Sequence, residues 1–130
     1  MTPSMKGSDK YRSGCALSSV LDLVGDKWSL LILRGMFVGW TRYGEFLAGP
    51  EKISTNILAD RLKRLEAQGL ITRHRDGGGP CYRLTRTGAD LLPAMQALAL
   101  WGYANLPNRW SPPEWFLKAR PEDFYPAVEP

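Results

Sequence analysis

Ile53-Ser54-Thr55-Asn56-Ile57-Leu58-Ala59-Asp60-Arg61-Leu62-Lys63-Arg64-Leu65-Glu66-Ala67-Gln68-Gly69 is the stretch that decides how this chain folds. It continues through Leu70-Ile71-Thr72-Arg73-His74-Arg75, a Gly77-Gly78-Gly79-Pro80 tip, Cys81-Tyr82-Arg83-Leu84 and Thr87. Leu58, Leu62 and Leu65 fall at helical spacing and form an inward stripe, while Asn56, Asp60, Lys63 and Ala67 lie on the opposite side. Ser54 is a good N-cap, because its hydroxyl can accept from a free N–H of the first turn. Gly69 stops the helix. Two short strands joined by a glycine tip follow, and then another helix start at Thr87. That order predicts a groove-reading helix followed by a wing. A phosphate-binding glycine loop does not fit, since no Lys-Ser/Thr follows and the strand-to-helix order is missing.

Working outward, Tyr43-Gly44-Glu45-Phe46-Leu47 reads as a short helix ending near Gly49-Pro50, which gives helix-turn-helix proportions with the helix after Ser54. Without the wing, the same pair reads equally well as two amphipathic helices in a bundle. Trp40-Thr41-Arg42 is a candidate extended stretch pairing with the wing. Leu17, Val20, Leu21 and Val24 make a first helix ended by Gly25. Asp26 is a candidate cap for a second, centrally buried helix from Trp28 to Phe37, closed by Gly39. Thr87-Gly88-Ala89-Asp90 is expected to open a long apolar helix with Asp90 supporting the cap and Pro93 kinking it.

A chain of 130 residues, 44% of them hydrophobic, is sized for one domain with one modest core. The expected division is a loose arm at 1–13, a winged helix and dimerisation domain at 14–104, and a Pro/aromatic-rich extension at 105–130 that packs on the domain or across a dimer. Trp110 and Trp115 are candidate pocket walls within that extension, with plain packing as the other reading. The opening residues hold no signal-peptide core and no apolar run is long enough for a membrane span, so a cytoplasmic protein without membrane contact is expected. Two cysteines and one histidine argue against a disulfide framework, a metal site or a cofactor site. No nucleophile–base set argues for an enzyme. The net charge is +4. Between Lys52 and Asp90, eight basic residues stand against four acidic ones, so this one segment carries the whole excess. Taken alone such an excess describes a solvated helix face; on a helix followed by a wing it points to a polyanion.

The run Cys15-Ala16-Leu17-Ser18-Ser19-Val20-Leu21-Asp22-Leu23-Val24-Gly25-Asp26-Lys27-Trp28 through Arg34 resembles the opening of HxlR-type winged helix regulators. Ile53 to Ile71 and Tyr82-Arg83-Leu84-Thr85-Arg86-Thr87-Gly88 fit the same pattern, over about Cys15 to Gly102 in all. The resemblance implies a homodimeric bacterial transcription factor. Its helix from Ser54 would enter the major groove, and its Arg73–Arg83 hairpin would touch the adjacent minor groove or backbone. It also implies that Cys15 is a candidate thiol sensor of oxidants or electrophiles. Cys15 stands ahead of the first helix, where the positive end of the helix dipole favours a thiolate; a small packing residue is the other reading. The chain departs from the family at Ala16, where a Pro is common, and at Asn56 and Asp60, so an operator sequence does not carry over.

The expected architecture is therefore mainly α with a small β-hairpin wing, dimeric through the first and last helices. The expected function is sequence-specific binding of double-stranded DNA by a transcriptional regulator answering to a small-molecule effector or thiol-reactive stress. A winged helix that binds protein instead of DNA is the alternative. Thr55, Asn56, Asp60 and Lys63 are the candidate base readers: Asn suits adenine, Lys suits guanine acceptors and Asp accepts from a cytosine amine. Arg42, Ser54, Arg61, Arg64, Arg73, Arg75 and Arg83 are the candidate phosphate contacts, which set position and not sequence.

Overall fold

The computed structural model describes residues 10–127, so most of the 1–13 arm lies outside the described residues. Helices α1 (Ala16–Val24), α2 (Ser29–Val38), α3 (Tyr43–Leu47) and α4 (Thr55–Ala67) precede the strands β1 (Ile71–Asp76) and β2 (Gly79–Leu84). The helices α5 (Arg86–Ala89), α6 (Leu92–Asn105) and α7 (Glu114–Lys118) follow, and a 3₁₀ turn at Pro121–Phe124 closes the order. The fold is mainly helical with a two-stranded antiparallel hairpin. No helix among the described residues is long and apolar enough to cross a membrane.

One core joins these elements. Ile32, Leu33, Met36 and Phe37 of α2 pack with Phe46 of α3, the leucines of α4, and Ile71 and Tyr82 of the hairpin. Gly39 ends α2 in the left-handed region at φ 114°, where a side chain would be strained. Asp26 anchors the start of α2: its carboxylate accepts from the backbone N–H groups of Trp28 and Ser29, each at 3.0 Å, and from the Ser29 hydroxyl. These are donors that a helix start would otherwise leave unpaired.

The hairpin turns at Gly77-Gly78, with Asp76 opposite Gly79 and Ile71 opposite Leu84. Among the three glycines only Gly79 has a positive φ, 98°. The Trp40–Arg42 stretch does not form a third strand. A single backbone bond among the described residues, from the Tyr82 N–H to the Thr41 carbonyl at 3.0 Å, joins it to the wing, because the Thr41 and Arg42 N–H groups turn to the Glu45 carboxylate at 2.8 and 3.0 Å.

The helical region after the wing differs from the sequence expectation. Thr85, not Thr87, caps α5: its hydroxyl accepts from the Gly88 N–H at 3.0 Å and donates to the Gly69 carbonyl at 2.6 Å. Gly88 lies so close to Leu70 that an added Cβ would sit 2.1 Å from the Leu70 carbonyl oxygen. The chain then breaks at Asp90-Leu91 and restarts as α6. Pro93 thus falls in the first turn of a new helix, where a missing N–H costs nothing, and no kink is needed. Asp90 accepts from the Tyr125 hydroxyl instead of supporting a cap.

Beyond α6 the chain folds back. The Gln96 side-chain amide donates to the Phe116 and Ala119 carbonyls, each at 2.8 Å, and the Phe124 ring meets Phe37 edge-on at 4.9 Å. Phe116 is buried, whereas Trp110 is 84% exposed.

Candidate nucleic-acid interface

The candidate interface combines α4 and the hairpin. Leu58, Leu62 and Leu65 are each 1% exposed or less, so the back of α4 is fixed in the core. Ser54 caps the helix, accepting from the Ile57 N–H at 3.3 Å. With the back so anchored, helical geometry turns Thr55, Asn56, Ala59, Asp60, Lys63 and Arg64 outward, and all are exposed. The four candidate base readers therefore lie on one accessible face.

Asp60 does not stand alone on that face. Arg61 pairs with it, and the Arg64 guanidinium lies 3.8 Å away, one turn on. Its negative charge is offset by its neighbours, which lowers the cost of bringing it toward phosphates.

Three expected phosphate contacts are placed differently from the simple picture of free surface cations. Arg61 turns inward, its Nε 2.9 Å from the Asp26 carboxylate, and ties α4 to the start of α2. Partial burial opposes ionisation of Asp26, but hydrogen bonds from Ser29, Arg61 and the Trp28 and Ser29 backbone outweigh it and bring the pKa from 3.8 to about 2. Arg42 reaches the wing: it donates to the Gly79 and Pro80 carbonyls at 2.9 and 3.1 Å and grips both oxygens of Asp76 at 2.7 and 2.6 Å. The Arg42 hydrogen bond, followed by one from the Gly78 N–H, holds the Asp76 carboxyl below its usual range. Arg83 sits opposite Thr72 in the ladder, and so on the face of the hairpin away from Arg73 and Arg75.

Sequence patterning does not reveal these ties. Asp76, which holds Arg42, and Asp26, which draws Arg61 inward, are 34 and 35 residues distant in the chain. What remains as open cationic surface is Lys63 and Arg64 on α4, with Arg73 and Arg75 on the exposed end of β1. Neither wing arginine makes a side-chain hydrogen bond or ion pair among the described residues. The only signal that could have flagged the wing clamp is the pairing of Arg42 with an acid at the hairpin turn.

Away from this face, Cys15 occupies the N-cap position of α1 and is exposed, whereas Cys81 is buried. Among the described residues no group of three His, Cys, Asp or Glu side chains could hold a metal ion.

Residues 23–109 match the HxlR-like helix-turn-helix family. An uncharacterized HTH-type transcriptional regulator of Mycobacterium tuberculosis (strain H37Rv) is 40% identical over 103 residues, which cover 77% of this chain and 65% of that protein. The chain thus spans slightly less than two thirds of the length of this relative. The uncharacterized HTH-type transcriptional regulator YybR of Bacillus subtilis is 31% identical over 97 residues, 72% of this chain and 78% of YybR. Among solved structures, PA1607 superposes with a TM-score of 0.70 at 32% identity, covering 90% of this chain and 91% of that one. The redox regulator HypR in its oxidized form gives 0.65 at 30% identity, over 70% of this chain and 97% of HypR. The reduced form of the transcriptional regulator YodB from Bacillus subtilis gives 0.62 at 27% identity, over 74% and 98% respectively.

Proposed function

The chain belongs to the HxlR-like helix-turn-helix family, and from that premise we propose that it is a transcriptional regulator that binds double-stranded DNA in the cytoplasm. One observation carries the reading. A helix locked into the core by three leucines presents Thr55, Asn56, Asp60 and Lys63 outward, beside a wing whose Arg73 and Arg75 are unclaimed by the fold. Side chains of α4 read base edges, while Arg64, Arg73 and Arg75 bind phosphates and set the register. Arg42 and Arg61 act through others, by holding the wing and α4 in place.

The working unit is a homodimer. Leu17 and Leu21 of α1 and Leu98 and Trp101 of α6 are between 51% and 68% exposed, far more apolar surface than helices of a finished core leave in water. A second copy that covers both helices removes that surface and doubles the DNA contacts. The regulated signal is thiol-reactive stress: Cys15 is the accessible thiol, and the similar structures include one named as a redox regulator.

Gel-shift titrations at several salt concentrations, with fragments selected from random DNA, test the central claim. Lys63→Ala changes which sequence is preferred. Arg75→Ala weakens binding to every sequence and lowers the salt slope by about 1. Equal effects of both changes on all sequences, or no salt-dependent DNA affinity at all, defeat the reading and favour a protein-binding module.

A further inference from the structure

A groove of about 690 Å³ runs between the wing and the C-terminal segment. Its apolar walls include Met36, Trp40 and Phe124. Beside Thr41 and Thr85, its polar lining includes residues of the two wing strands: Thr72 and Arg83 face each other across the ladder, and His74 lies on the same face of β1. Thr72 Oγ1 and His74 Nε2 are 2.8 Å apart and hold each other in place. The Arg83 side chain is exposed and, among the described residues, makes no hydrogen bond or ion pair, although its charge acts on Asp76. No Asp or Glu lines the groove.

We propose that this groove is a binding site for a flat organic acid, an aromatic carboxylate whose ring lies among Met36, Trp40 and Phe124 and whose carboxylate pairs with Arg83. Small-molecule sites have volumes of roughly 300–1,000 Å³ and apolar linings with a few convergent polar groups, and this groove meets both conditions. An aromatic ring gains from leaving water for aromatic walls, with edge or offset contacts available to it. A planar guanidinium without a hydrogen-bonded or ion-paired partner matches a carboxylate bidentately, where an uncharged analogue would not pair with it. Thr72, His74 and Arg83 belong to the wing strands, so a bound acid joins the wing to the C-terminal segment. Binding itself does not depend on the DNA-binding reading.

The chain has one histidine, so the His74 ring protons give a single set of NMR signals from inside the proposed site. The full chain is titrated with 1-naphthoate and, separately, with 1-naphthalenemethanol. Naphthoate is expected to shift the His74 signals saturably, the alcohol to bind about tenfold more weakly or worse, and Arg83→Gln to weaken naphthoate by a similar factor. Arg75→Gln, on the other face of the hairpin, is expected to leave naphthoate affinity unchanged. Immobile His74 signals at millimolar naphthoate overturn the proposal. So does equal binding of acid and alcohol, or unaltered affinity in Arg83→Gln. A shift of His74 in a protein with no DNA affinity would support the site while defeating the function proposed above, so the two failures are distinguishable.

Discussion

Replacing Asp26 by Asn removes a charge that fastens α2 to α4. In the native fold this carboxylate titrates at about 2 against an ordinary 3.8. A gap of that size, at about 1.4 kcal/mol per pKa unit, makes the ionised form worth roughly 2 kcal/mol to the folded state. The side chain is only 21% exposed, so solvent screening removes little of this. Urea denaturation at pH 7 and fixed protein concentration is expected to show Asp26→Asn less stable by about 2 kcal/mol with an unchanged m-value. For a domain of this size the thermal midpoint falls by roughly 5–10 °C. The acid profile checks the cause. Because the native pKa is depressed, the unfolded chain binds the proton first as pH falls, so the contribution is complete above 3.8 and disappears on the way down to about 2. Asp22, Glu45, Glu51 and Asp76 are also depressed and weaken the fold with acid, so the difference between the two proteins isolates Asp26. That difference should shrink to near zero by pH 2. Parallel acid profiles, or a loss at pH 7 below about 0.5 kcal/mol, would refute the assignment of Asp26 as a charged tie.

Arg42→Gln and Asp76→Asn should each weaken DNA binding by loosening the wing, and the double substitution should be no worse than either alone; additive losses in a gel-shift cycle would show that Arg42 meets DNA directly. Leu98→Glu with Trp101→Glu should convert a dimer to a monomer in analytical ultracentrifugation while leaving the helical circular dichroism intact, and an unchanged sedimentation coefficient places the seam elsewhere. Cys15→Ser should abolish diamide-induced release from DNA; release that persists assigns the response to another group.

The first four helices, the cap at Ser54, the stop at Gly69 and the hairpin were all legible in the chain. Periodicity and capping are local properties, set within a few residues by backbone geometry and the need to satisfy N–H groups. The outward face of α4 followed from Leu58, Leu62 and Leu65 in the same way, since 3.6-residue spacing fixes what lies behind a buried stripe. Even Asp26 as the anchor of α2 was readable, because its partners are two and three residues away.

Tertiary structure alone decided which cations were spent inside the fold. Arg42 and Arg61 look in the sequence like Arg64 and Arg75, and only the folded chain brings Asp76 and Asp26 within 3 Å of them. The break between α5 and α6 was equally hidden, because it depends on Gly88 pressing against the Leu70 carbonyl and on Tyr125 returning to Asp90. Strand register put Arg83 on the far face of the wing, beside a groove that exists only because the C-terminal segment folds back. Short-range patterns record what each segment prefers; a charge's partner is set by where distant segments meet, and no local pattern encodes that.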